Sequence, residues 1–203
     1  MTENSYTLAQ ASLIAQLPLK SVQKLIDMGL IRPRRIRSGR EIQRLLSPEQ
    51  LLYLRLEADG VHLLPLAARR EVAKTLASKP EVHSIVVTGS TALMVEVEHA
   101  RQEVEQELKR LRKAQEMVVS NPEVMQGMPV FKGTRIPVGL VAEMAAAGAT
   151  VEEILVGYPA LCREQLEAAS LYVKAFPRRG RPVQRSLVKT MPIGIRRQRR
   201  TLT

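Results

Sequence analysis

A dense group of arginines near the N-terminus has the residue types and spacing that suit contact with phosphate. Guanidinium groups bind phosphate oxygens through paired N–H donors, so a hairpin carrying several of them fits a polyanion. The group comprises Arg32, Arg34, Arg35, Arg37 and Arg40. Just upstream, four polar residues lie off the apolar face of a predicted helix: Lys20, Ser21, Gln23 and Lys24. We expect both sets to bind DNA. The alternative is a helix pair used only for packing, beside a solvated basic hairpin.

No other group of residues predicts a catalytic or metal centre. The three histidines, His62, His83 and His99, are scattered, and the single cysteine, Cys162, has no histidine nearby in sequence. The triplet Gly-Thr-Arg at 133–135 lacks the Gly-Lys-Ser/Thr spacing of a phosphate-binding loop. The sequence therefore predicts no enzyme activity, no cofactor, no metal and no disulfide, and it disfavours an RNA-processing enzyme.

Local signals organise the elements around the arginines. Apolar spacing predicts a helix over Tyr6–Gln16, and a second over Pro18–Met28 that stops at Gly29. Two extended runs around Ser-Gly at 38–39 predict a β-hairpin, or wing. Ser47 and Gln50 form a capping box, with Pro48 at the first helical position, at the start of a helix that runs to about residue 58.

The order of these elements resembles the DNA-binding domain of the mercury-resistance-regulator family over residues 6–56. The residues that carry the resemblance are Tyr6-Thr-Leu-Ala-Gln-Ala11 and Leu25-Ile-Asp-Met-Gly-Leu-Ile31. It implies that the helix from Pro18 enters the major groove and that the hairpin contacts phosphates. This chain has no cysteine cluster, so a metal sensor of that family's kind is not expected.

The middle of the chain predicts a mixed connector. We expect a strand at Val61–Leu64, a helix at Leu66–Ala77 and a hairpin at Ser84–Val97. A long amphipathic helix follows from Glu98 to about Val118. Its apolar stripe either pairs with the same helix of a second copy or packs against its own domain. The stripe comprises Ala100, Val104, Leu108, Leu111 and Ala114.

A Pro/Gly-punctuated motif opens the third section, and three short helices follow it. We predict helices over Val138–Ala147, Thr150–Val156 and Arg163–Ala175, which must pack together because each is short. Thr150 and Glu153 form a capping box. The motif places two basic residues at the edge of a turn-rich segment. Its residues are Gly127, Pro129, Lys132, Gly133, Thr134 and Arg135.

The motif and its continuation resemble domain-of-unknown-function family 433. The resemblance rests on residues 120–138, then on Ala-Gly-Ala-Thr-Val-Glu-Glu-Ile-Leu at 147–155 and Tyr-Pro at 158–159. It implies a small, homeodomain-like helical module of the kind found in antitoxins. The toxins of such antitoxins are PIN-like ribonucleases, whose active sites hold a cluster of metal-binding carboxylates.

The last segment, residues 177–203, carries nine basic residues and no acidic one, a net charge of +9. Arginines interleaved with apolar residues suit a segment that folds on an acidic partner. We expect it to be unfolded when free and to bind the toxin's active site. A non-specific nucleic-acid arm and a merely solubilising tail are the alternatives. The predicted toxin-binding residues are Arg178, Arg179, Arg181, Arg185, Leu187, Lys189, Ile193, Arg196 and Arg197.

The distribution of charge along the chain supports a division into four parts. Of the net +11, residues 1–47 carry +5, residues 48–117 carry −1 and residues 118–176 carry −2. We predict a mainly α chain with small β-hairpins, in four parts. These are a winged helix-turn-helix (1–58), an α+β connector (59–118), a trihelical module (119–176) and a basic tail (177–203).

The function that the sequence favours is that of an antitoxin. It would silence a PIN-like ribonuclease encoded by the adjacent gene and repress its own operon by binding operator DNA as a homodimer. The alternative is a stand-alone transcriptional regulator whose tail contacts DNA. With one cysteine, no secretory signal and no long apolar run, we expect a cytoplasmic protein that does not enter membranes.

Overall fold

The computed structural model of the protein describes residues 5–38, 41–88 and 92–177. These residues form a mainly helical fold with three small antiparallel sheets, as the sequence predicts. No helix among them is long and apolar enough to cross a membrane.

The N-terminal part is a helix, a turn, a second helix and a β-hairpin. Strand β1 (Tyr6–Thr7) leads into α1 (Leu8–Ile14), α2 (Leu19–Asp27), β2 (Arg34–Ser38), β3 (Glu41–Leu46) and α3 (Pro48–Asp59). The first helix starts two residues later than predicted, because residues 6 and 7 pair with Leu46 and Leu45 of β3. Thr7 then caps α1 through a capping box with Gln10.

The middle part corrects one prediction. Residues Val61–Leu63 form a single 3₁₀ turn rather than a strand. Gly60, at φ +133°, ends α3, and Pro65 precedes the next helix, so only four residues lie between them. The turn closes on itself through Leu63 N to Gly60 O and Leu64 N to Val61 O. After it come α4 (Leu66–Ser78), β4 (Ser84–Val87), β5 (Leu93–Glu96) and α5 (Glu98–Glu116).

The last part contains β6 (Val118–Val119), a 3₁₀ turn at Met125–Gly127, β7 (Val130–Phe131), α6 (Val138–Ala146), α7 (Val151–Gly157) and α8 (Arg163–Ala175). The three helices lie within one residue of their predicted bounds. Thr150 caps α7 through the predicted box with Glu153.

Two hydrophobic clusters stabilise the described residues. The larger runs from Ala11 to Leu111 and includes Ala175 at the end of α8. The smaller joins β7 to the last three helices and centres on Phe131, Val138 and Ile154. Helix α8 packs against α6, and also against α5 and α1. The helical module is therefore joined to the N-terminal part through α8, and the four-part division of the chain stays a prediction.

The stripe of α5 packs within its own chain. Ala100, Val104, Leu111 and Ala114 are buried, and α5 contacts α3 and α8. This arrangement favours the intramolecular alternative, and the stripe is not open to the same helix of a second copy.

Candidate nucleic-acid interface

Helix α2 presents one polar face to solvent and one apolar face to the core. Val22 and Leu25 are 0% and 5% exposed and anchor the helix. The opposite face carries Lys20, Gln23 and Lys24, which are exposed, and Ser21, which is half-buried. Since positions three and four apart share a face, Lys20, Gln23 and Lys24 form one surface. The four residues predicted on this helix thus lie together.

Two local devices end α2 and turn the chain towards the hairpin. Gly29 has φ +72°, a conformation that glycine adopts without strain. The N–H groups of Leu30 and Ile31 both donate to the carbonyl of Leu25, which closes the helix end. Leu30 and Ile31 are buried, so the next residue, Arg32, leaves the core at a defined point.

The wing consists of β2 and β3. Arg34, Arg35 and Arg37 are exposed on β2, and Arg32 is exposed just before it. Arg40 lies outside the described residues. In the register of the hairpin, Arg35 faces Arg44 and Arg37 faces Ile42. All the described arginines that the sequence singled out are therefore on the surface of one small hairpin or at its base.

Arg44 is a residue that the sequence reasoning missed. It is exposed and lies directly opposite Arg35, on the same face of the ribbon. Neither side chain has an ion-pair partner among the described residues. Like charges directly opposite in a sheet destabilise it, so folding alone does not account for this pair. The available signal is the register of the hairpin, in which Ser38 faces Glu41 and residue 35 therefore faces residue 44.

The motif of the helical module is mainly structural. Gly127 has φ +78°, and its N–H donates to the carbonyl of Asn121 at 3.1 Å. The Thr134 hydroxyl donates to the carbonyl of Phe131 at 2.9 Å and accepts from the N–H of Ile136 at 3.1 Å. The carbonyl of Pro129 accepts from the N–H of Val138 at 3.0 Å.

These contacts shape the loop that leads into α6. Gly133, at φ +78°, completes the turn, and Lys132 and Arg135 are exposed beside it. The motif residues therefore lie together, away from α2 in sequence, and they shape the loop.

No group of three or more His, Cys, Asp or Glu suited to a metal occurs within the described ranges.

The predicted toxin-binding residues, from Arg178 to Arg197, lie outside the described residues. The described chain ends at Pro177, directly after Ala175 and Phe176, which pack on the larger core cluster. Pro177, the last described residue, thus follows a helix end that packs on this cluster.

Comparisons with known proteins find a curated protein, a solved structure and a family model that are similar to this chain. The chain is 29% identical over 190 residues to the "Uncharacterized protein y4eO" of Sinorhizobium fredii, covering 85% of this chain and 82% of that protein. The X-ray crystal structure of Rv2018 from Mycobacterium tuberculosis is 18% identical, with a TM-score of 0.36. The match covers 81% of this chain and 96% of the chain in that crystal structure. Residues 118–173 match the model of the family described as "Protein of unknown function (DUF433)".

Proposed function

We propose that this protein is a transcription regulator that binds double-stranded DNA through α2 and the β2–β3 wing. The observation that carries the proposal is that these two elements, consecutive in the chain, both expose basic side chains, while α2 is anchored by its buried apolar face. An α-helix fits the major groove of B-DNA, and a basic hairpin suits the neighbouring backbone.

The side chains suit different parts of a DNA site. Gln23 can make a bidentate contact with adenine, and Lys20 and Lys24 can reach guanine or phosphate. The arginines at Arg34, Arg35 and Arg37 suit phosphate oxygens, which supply affinity without reading sequence. Specificity would therefore reside in α2 and salt-dependent affinity in the wing.

The test is binding of the full chain to a duplex from upstream of its own gene and to a shuffled duplex of the same composition. Fluorescence anisotropy should give tighter binding to the first. The triple variant K20A/Q23A/K24A should lose the difference between the two duplexes. Equal affinity of the unchanged protein for both duplexes would contradict sequence-specific regulation.

A second function is proposed for the tail, that of an antitoxin. It is supported by the tail's nine basic residues among apolar ones and by the resemblance of residues 120–159 to modules found in antitoxins. Guanidinium groups would neutralise the metal-binding carboxylates of a PIN-like ribonuclease from the adjacent gene, as a charge-assisted contact. The same protein would repress its operon from the cytoplasm.

Co-expression with the adjacent gene product tests this second function. The full chain should co-purify with that product and suppress its RNA cleavage. A matched chain whose nine tail Lys and Arg residues are replaced by Ser should do neither, yet should still bind DNA. If the tail variant instead loses DNA affinity and shows a shallower salt dependence, the tail is a DNA-binding arm of a stand-alone regulator.

A homodimer that reads a pseudo-palindromic operator remains part of the proposal. Because the α5 stripe is buried within its own chain, the second copy would use another surface. Sedimentation at several protein concentrations, with and without DNA, tests this point.

A further inference from the structure

A groove of about 670 Å³ lies at the base of the wing, on the side of α4. Its walls come from residues 29–32, which follow α2, from Ser47 and the start of α3, and from α4. The lining residues that carry the argument are Arg32, Arg70 and Lys74, with Ser47, Gln50 and Glu49.

Three cations meet in this groove without counterions. Arg32, Arg70 and Lys74 are exposed, and none has an ion pair within the described part of the chain. Arg70 and Lys74 are four residues apart on α4, a spacing at which like charges destabilise a helix. Glu49 is the one carboxylate among the lining residues.

Neighbouring contacts fix the walls of the groove from which these cations extend. Arg69 forms a bidentate pair with the buried Glu57, with Nε to Oε1 at 2.9 Å and Nη2 to Oε2 at 2.8 Å. This pair ties α4 to α3, while Arg70, the next residue, lines the groove instead. On the other wall, the Gln50 side-chain amide donates to the carbonyl of Arg32 at 2.9 Å.

We infer that this groove is a second phosphate-binding surface, which contacts the DNA backbone beside the segment contacted by the wing. The inference rests on the proposed function. Arg32 belongs to both surfaces, since it also lines the adjoining groove with Arg34, so the basic surface runs from the wing onto α4. Free phosphate offers the same chemistry, and competition at matched ionic strength separates the two sources.

The test measures the affinity of the full chain for its upstream duplex between about 50 and 200 mM salt. The double variant R70Q/K74Q should lower the slope of log affinity against log salt by about 1.8, or about 0.9 per lost phosphate contact. It should weaken binding to the specific and shuffled duplexes equally. The variant E49Q, which removes the groove's carboxylate, should bind several-fold more tightly.

The matched control is K109Q/R112Q on α5, which removes two exposed cations with no ion-pair partner among the described residues. Its slope should stay close to that of the unchanged protein. If both double variants behave alike, the inference is overturned while DNA binding stands. If R70Q/K74Q leaves the salt slope unchanged but abolishes an advantage of inorganic phosphate over chloride in displacing DNA, the groove binds free phosphate instead, which also overturns it. If the unchanged protein binds no duplex, the proposed function falls and the inference falls with it.

Discussion

At the scale of single residues, the most constrained polar group is the cluster of Tyr53, Glu57 and Arg69. Glu57 is 3% exposed, and it accepts hydrogen bonds from the Tyr53 hydroxyl and from two nitrogens of Arg69. A buried carboxylate is tolerated only when it is paired and hydrogen-bonded. The cluster therefore fixes α4 against α3, behind the proposed DNA-binding elements.

Removing Arg69 should show how far the stability of the fold depends on the pairing of Glu57. Arg69→Met leaves Glu57 buried without its counterion, and we expect a loss of about 3–5 kcal/mol in the free energy of unfolding. Urea denaturation measures it. The double variant R69M/E57M should recover much of the loss because no charge is then left unpaired. Additive losses in the double variant would show that the two residues do not act as a pair.

Tyr53 should make the stability of the protein depend on alkaline pH. Burial, together with the hydrogen bond to Glu57, raises the pKa of Tyr53 well above its ordinary range. The folded state then keeps a proton that the unfolded state releases. The contribution of Tyr53 to the free energy of unfolding is therefore fully present below about pH 10 and falls as the pH rises above it.

The variant Tyr53→Phe checks this dependence. It should flatten the alkaline fall in the free energy of unfolding, measured by denaturation between pH 8 and pH 11. Burial also raises the pKa of Tyr172, so Tyr172→Phe serves as the matched comparison. An unchanged alkaline slope in Tyr53→Phe would contradict the assignment.

At the scale of elements, the wing combines like charges with an exposed apolar side chain. The β2–β3 ribbon places Arg35 opposite Arg44, and Ile42 is 66% exposed. Strand β1 pairs only with Leu45 and Leu46 at the base of the wing, so the rest of the β2–β3 ribbon is two-stranded, and repelling charges there destabilise it. Binding of an anion is the interaction that would compensate for this arrangement.

The wing variant R35Q/R44Q should therefore change stability and binding in opposite directions. We expect the free energy of unfolding to stay equal or rise by about 0.2–1 kcal/mol, since the like-charge pair is gone. The affinity for DNA should fall and its salt dependence should become shallower. Denaturation and anisotropy on the same samples measure both. A loss of stability together with unchanged DNA affinity would mean that the pair serves the fold.

At the scale of the whole molecule, α8 connects the two hydrophobic clusters. It packs against α6 in the smaller cluster, while Ala175 at its end is 1% exposed within the larger one. The chain then continues at Pro177 towards the basic tail.

Local signals in the sequence predict much of this fold. The capping boxes of Ser47 and Thr150 and the left-handed turn at Gly29 depend on neighbouring residues, so α2, α3 and α7 begin and end close to where they are expected. The exposure of the α2 face follows equally from its 3.6-residue periodicity.

Features that depend on distant contacts escaped prediction. An amphipathic stripe shows that α5 needs a partner but not which one, and the partner is α3 and α8 of the same chain. The cation groove was missed because Arg32 and Lys74 lie 42 positions apart and meet only through packing. Arg44 was missed because its position opposite Arg35 is known only from the pairing register of the hairpin.

The most direct test of the central claim maps which surface of the protein faces DNA. In a Cys162→Ser background, which removes the chain's single cysteine, an iron–EDTA reagent is attached to Gln23→Cys on α2, or to Val156→Cys on α7 as the control. The duplex from upstream of the gene is then analysed for cleavage. The account predicts cleavage at defined positions from residue 23 and none from residue 156. Cleavage from residue 156 alone would contradict it and would assign DNA contact to the helical module.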